Sequence, residues 1–332
     1  MIDDIFVYDC AIHVYDMSDA NINGADGAAG RDAMSAVGQR VRIPEAEEGV
    51  DQFDKRWSVE AMYDLVFARS PTDMAMAQAV PIFDWYEDGF APVAAQHAMA
   101  EAYPGRVQFC GGVDPNYHGL DGALEEIERQ ITELGAVSMK FYNGHLRDSW
   151  RCDDEAIAYP MYQRILDLGV DVIQFHKGIP FGNQPLAPLS PLDMERAAID
   201  FPDMRFVMHH MALPYFEEAI SIAGRHPNVY LALSGTINLV VFAPKLVQTH
   251  LGRMLGDVGV HKLLWGSEAA LAGSPAPFLK AFMELEIDED LRVGYGMPQI
   301  TREDKERILG LNFAELMGID VPAKRRELAA AA

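Results

Sequence analysis

The chain predicts a (β/α)8 TIM barrel, and three observations predict it. Its 332 residues exceed an ordinary single domain but suit a barrel. Eight short apolar runs alternate with amphipathic segments, the pattern of parallel strands joined by helices. Several of those runs end in His, Lys or Glu, as expected where strand ends converge on a shared rim.

The first run, FVYDCAIHVYD from Phe6 to Asp16, is a strand whose polar end carries Asp9, Cys10 and His13. A polar insert rich in Gly, Asp and Ala follows, from about Met17 to Trp57. Inserts of this length serve as lids or interaction arms, or are plain surface excursions. Ser58 is placed to cap a helix through about Arg69, and Met74 to Val80 forms the second strand.

A helix around Pro92 to Tyr103 leads to the strand Val107 to Val113. Asp121 to Leu134 is helical, with Leu124, Ile127, Ile131 and Leu134 on one face and Gly135 as its stop. The strand Ala136 to Phe141, a helix from about Pro160 to Leu168 and the strand Val170 to Phe175 come next. The proline-rich loop beyond it ends in Ser190-Pro191 with Asp193 following, a capping signal. Then come the strand Met204 to Met208, a helix opened by Pro214, the strand Val229 to Leu233, a helix over about Val240 to Leu255 and the strand Lys262 to Trp265. Nothing divides the barrel, so one domain is expected over residues 1–322, with the insert at about 17–57 and a tail at 323–332. The low-complexity RRELAAAA is expected to fray.

With 49% hydrophobic residues the chain can bury a full core. Fifty acidic against 27 basic residues give a formal charge of −23, which argues against nucleic acid or an anionic membrane as partner. Cys10, Cys110 and Cys152 are too few and scattered for a disulfide framework or a thiolate zinc site, so a reducing cytoplasm is expected. The acidic MIDDIF start is unlike a signal peptide, and no apolar run approaches the roughly 20 residues of a membrane span.

At the strand ends stand His13, Lys140, His176, His209, His210 and Glu268. One such residue would be an ordinary core or ion-pairing group. Their coincidence on one rim points to a divalent metal, and imidazole with carboxylate suits zinc, manganese or iron. His13, His176 and Glu268 are the principal candidate ligands. His209 and His145, five residues past Lys140, are further candidates. The other five histidines lie in helices or loops and carry no functional weight.

FVMHHMALP, LLWGSEAA and ILGLNFAELMGI, together with KFYNGH, SWRCDDEAIAYP and FHKGIP, resemble the amidohydrolase-related branch of the amidohydrolase superfamily. The likeness covers essentially the whole chain. It implies a metal held by a His pair on strand 1, a His on strand 5 and an Asp on strand 8, with a strand-6 His as acid or base. The strand-5 ligand then corresponds to His176 and the acid/base to His210. Two positions depart from that pattern: the HxH pair is Ala11-Ile12-His13, and the Asp is Glu268.

Three functions follow as expectations. The first is a metal-dependent hydrolase or non-oxidative decarboxylase acting on a small carboxylate-bearing molecule, with His210 moving the proton and Lys140 holding the carboxylate. The second, implied by the same resemblance, is a non-haem dinuclear iron or manganese/iron oxygenase. Its second metal would draw on His209, His145, Asp9 or a carbamylated Lys140. The third is a non-catalytic subunit that pairs with an active homologue, which Ala11 favours. A homo-oligomer or a hetero-oligomer with a homologue is expected.

Overall fold

The computed structural model describes residues 1–41, 43 and 56–331. Eight parallel strands lie in sequential order: β1 (Tyr8–Ile12), β2 (Met74–Gln78), β3 (Val107–Gly112), β4 (Ser138–Phe141), β5 (Val172–Phe175), β6 (Arg205–Met208), β7 (Val229–Ala232) and β8 (Leu263–Leu264). The Cys10 amide donates to the Trp265 carbonyl (2.9 Å) and the Glu268 amide to that of Ala11 (3.2 Å), bringing the eighth strand back to the first. Asp9 reinforces the seam, because its Oδ1 accepts from the amides of Ser267 (3.0 Å) and Ala11 (3.1 Å). The fold is the (β/α)8 barrel that the alternation predicts.

The strands are shorter than their apolar runs. Lys262, for example, lies in a 3-10 turn, its ammonium donating to the carbonyls of Ala223 and His226. Ser58 caps its helix as expected, its hydroxyl accepting from the Ala61 amide at 3.1 Å. The helix expected from Asp121 begins earlier, at Pro115, because Asp114 supplies the cap (2.9 Å to the Asn116 amide) and Gly119, at φ +69°, absorbs a kink. The helix expected from Val240 begins at Pro244, after a 3-10 turn over Thr236–Val240.

Asp193 corrects the capping expectation. Its carboxylate turns inward to Lys177 Nζ (2.8 Å) and the Cys152 amide (2.9 Å), so the helix Leu192–Asp200 starts without a side-chain cap. The C-terminal residues expected to fray form the helix Val321–Ala331 instead. Arg325 ties it to the Asp4 carbonyl (2.8 Å), and Leu328 packs on the cluster around Phe313.

Within the expected insert, Gly24–Val41 is a helix, while residues 42 and 44–55 lie outside the described residues. Among the described residues no helix is long and apolar enough to cross a membrane. Inside the barrel, Phe6, Tyr8, Cys10, Met74 and Met76 form an apolar floor. Above them lies a buried polar layer, in which Gln174 Oε1 accepts from Gln78 Nε2 (2.9 Å) and Gln174 Nε2 donates to Ser138 Oγ (3.1 Å). The layer supports the rim at the strands' C-terminal ends.

Candidate active site

His13 reaches the rim through an irregularity in β1. Asp9 lies opposite Ala75 and Ile12 opposite Ala77, so three steps on β1 answer two on β2 and the side-chain alternation shifts by one. Ile12 thereby packs with Ala75 and Ala77 on the helix side, and His13 follows it. His13 Nδ1 lies 2.8 Å from the Gln78 carbonyl oxygen, which can only accept, so Nδ1 carries the hydrogen. Its Nε2 faces Glu268 Oε2 at 3.3 Å.

His176 and His210 repeat the logic. His176 Nε2–H donates to the Ile179 carbonyl (2.7 Å), leaving Nδ1 bare, and His210 Nδ1–H donates to the Ser234 carbonyl (2.9 Å), leaving Nε2 bare. The two bare nitrogens face each other at 3.1 Å. Facing lone pairs at that distance repel, and a cation held by one of them, a proton or a metal ion, would relieve the contact. Burial pushes His176 well below its ordinary pKa and His210 down to about 4, so a proton is disfavoured there at neutral pH.

Glu268 completes the cluster. Burial raises a carboxyl's pKa, but the attraction of His13, then His210 and Lys140, outweighs it and brings Glu268 to about 2. Tyr15 donates its hydroxyl to Glu268 Oε2 at 3.3 Å. The backbone turns sharply at both strand ends: Glu268 (φ +52°) and the run His210, Met211 and Ala212 (+59°, +51° and +49°) occupy the left-handed region. Such residues cost of order 1–3 kcal/mol each and persist where surrounding structure holds them, commonly at functional sites.

The remaining candidates are placed differently. His209, His210 and Glu268 each bring a potential donor atom within 4.8 Å of the others. Both His209 nitrogens are nonetheless in use: Nε2 bonds Gln174 Oε1 (2.8 Å) and Nδ1 bonds Ser234 Oγ (2.8 Å). His209 therefore also serves the supporting layer, and a ligand role would take one of these bonds from it. His145 is likewise engaged, because it lies between Asp84 (3.3 Å) and Asp114 (3.4 Å), whose charges raise its pKa against the opposing effect of burial.

Lys140 lies beneath the rim and donates to Gln78 Oε1 at 3.0 Å. Burial lowers its pKa to about 8, with Glu268 opposing, and it does not line the cavity, so it is not placed to grip a substrate carboxylate. Ala11 is fully buried in the apolar floor, so the position of the departed His is filled by packing. Asp9 gives Oδ1 to the seam, its buried Oδ2 has no hydrogen-bond partner, and burial is the chief cause that raises its pKa to about 6.

Sequence reasoning missed Gln78, whose carbonyl sets the His13 tautomer, and Gln174, Ser234 and Tyr15. Gln78 at the end of a strand was the one local signal. The donor set fits a divalent ion: His176 Nδ1 is a bare nitrogen, and His13 Nε2 and the Glu268 carboxylate face each other beside it, while the bare His210 Nε2 is left to handle a proton. A cavity of about 230 Å³ opens on this cluster, bounded by Tyr15, Tyr142, His176, His210 and Glu268 at the polar end.

The family model for amidohydrolases matches residues 8–319. Comparison with curated protein sequences gives no match. Among solved structures, the chain is similar to an uncharacterised TIM-barrel protein from Bordetella bronchiseptica, at 19% identity over 95% of this chain and 99% of that one, with a TM-score of 0.63. It is similar to 2,6-dihydroxybenzoate decarboxylase from Rhizobium, at 13% identity, covering 83% of this chain and 96% of that one, TM-score 0.53. A dihydroxybenzoic acid decarboxylase from Polaromonas, solved with manganese and the inhibitor 2-nitroresorcinol, gives 12% identity, 95% and 97% coverage and a TM-score of 0.57. These structural likenesses speak to the fold. Because the family match itself runs from the first strand to the helices behind the eighth, the chain belongs to the amidohydrolase family.

Proposed function

We propose that the chain is a metal-dependent hydrolase or non-oxidative decarboxylase of a small molecule. The observation that carries this reading is the bare His176 Nδ1, fixed by the Ile179 carbonyl on its opposite side, with His13 Nε2 and the ionised Glu268 facing each other beside it and the bare His210 Nε2 opposite. A divalent ion bound there would polarise a substrate oxygen or lower the pKa of a water towards roughly 7.

The chain's own residues supply the rest. Gln78, Ile179 and Ser234 hold the three rings in their tautomers, and Tyr15 orients the Glu268 carboxylate. His210, neutral at pH 7, takes or returns a proton at Nε2, and its Nδ1–H bond to Ser234 stabilises the imidazolium that forms. The apolar walls exclude water from the reacting end. Of the side chains that a second metal would recruit, His209 has both nitrogens in use, His145 lies between two aspartates and Lys140 is bonded to Gln78, which favours one ion.

Elemental analysis of protein purified without added metal tests the reading. One zinc-like or manganese ion per chain is expected, and His176→Ala should lose it while retaining its circular dichroism spectrum. Unchanged metal content in that variant would show the ligand assignment to be wrong. Two redox-active ions per chain would instead support the oxygenase reading, and no metal with no turnover the non-catalytic one.

A further inference from the structure

Away from the His/Glu cluster, the cavity has almost nothing polar to offer. Its walls are Met34 and Val37 from the helix Gly24–Val41, Phe181 from the loop after β5, and Leu213, Leu239 and Leu271 from the loops after β6, β7 and β8. The Thr236 hydroxyl donates to the Leu233 carbonyl (2.8 Å) and Asn238 Nδ2 to that of Ser267 (2.7 Å), which leaves the unpartnered Asn238 Oδ1 as an acceptor that no anion could use. The Tyr15 hydroxyl is engaged with Glu268. Among the described residues no Lys or Arg lines the cavity, and Lys140 is held below it by Gln78.

An ionised group in the outer part of this space would lose its hydration with no partner to replace it. An apolar body would gain by displacing water from the same walls. We infer that this enzyme acts on a substrate with a single polar end: a ring or short alkyl body without a second charge, bearing one ester, amide or carboxylate group at the His13–His176–Glu268 cluster. Met34 and Val37, carried by the insert after β1, set that preference. The inference rests on the reading of the cluster as the reacting centre, since that defines which end of the cavity is inner.

The test compares methyl benzoate with terephthalate, whose two carboxylates force one charge into the outer cavity in either orientation, by ligand-observed NMR titration on metal-loaded and chelator-stripped protein. The neutral ester should bind at least tenfold more tightly in both forms. Val37→Lys, at a position already 42% exposed and therefore tolerant of the change, should narrow that ratio at least fivefold by supplying a cation, and Met34→Lys should act in the same direction. Equal or tighter binding of terephthalate to wild-type protein would overturn the inference, as would failure of the neutral ester to bind either form. If the protein proves to hold no metal yet still prefers the neutral ester, the metal-centre reading fails and the apolar preference stands.

Discussion

His210 and His209 are adjacent, buried and chemically identical, yet their bonds give them different roles. His210 spends one nitrogen on the Ser234 carbonyl and keeps the other bare, whereas His209 spends both on Ser234 Oγ and Gln174. Burial lowers His210 from 6.5 to about 4. In metal-free protein the unfolded chain therefore binds a proton between those values that the native chain refuses. Stability rises with pH across that window and is lost as pH falls, by about 3 kcal/mol for this group. Asp9, raised to about 6, acts in the opposite sense between about 6 and 3.8 and offsets part of the loss. Urea denaturation of stripped His210→Gln at pH 7 and pH 4.5 should show a shallower loss than wild type; an identical loss would remove His210 from the acid sensitivity.

Among the elements, the loops after β5 and β6 lock each other in place. Gly178, at φ +75°, leaves no room for a side chain, because a Cβ there would lie 2.1 Å from the Leu213 carbonyl oxygen. The Ile179 amide donates to that same oxygen at 2.9 Å, and the Ile179 carbonyl holds His176. Gly178→Ala combines a left-handed alanine with a backbone collision, so it should cost about 2 kcal/mol or more and displace His176 from its partner. Both consequences are measurable, as a lower urea midpoint and as faster metal loss to a chelator. Wild-type values for both would show that the loops need no such close approach.

For the molecule as a whole, the buried Lys177–Asp193 pair joins the rim to the outer helices. Lys177 is fully buried, and although burial opposes its charge, Asp193 outweighs that and raises its pKa. Asp193 also takes the Cys152 amide, so one carboxylate ties together the chain after β5, the loop after β4 and the helix Leu192–Asp200. Lys177→Met would leave that carboxylate buried without its counter-charge. A loss of about 3–5 kcal/mol is expected in equilibrium denaturation. A loss below 1 kcal/mol would mean that water or a rearranged donor replaces the ammonium.

The sequence by itself determined the barrel, because alternating apolar runs and helical faces are local patterns that allow few packings. It also placed His13, His176, His210 and Glu268 at the ends of strands or just beyond them, since a strand's end is where its apolar run stops. It did not separate His209 from His210, or show Lys140 beneath the cavity, or remove His145 to a pair of aspartates. Those distinctions depend on which atoms from distant strands come within hydrogen-bonding distance: Gln174 and Ser234 around His209, Gln78 beneath Lys140, Asp84 and Asp114 beside His145. Periodicity assigns a side chain to a face, but only the assembled barrel supplies the partner that decides which nitrogen keeps its proton.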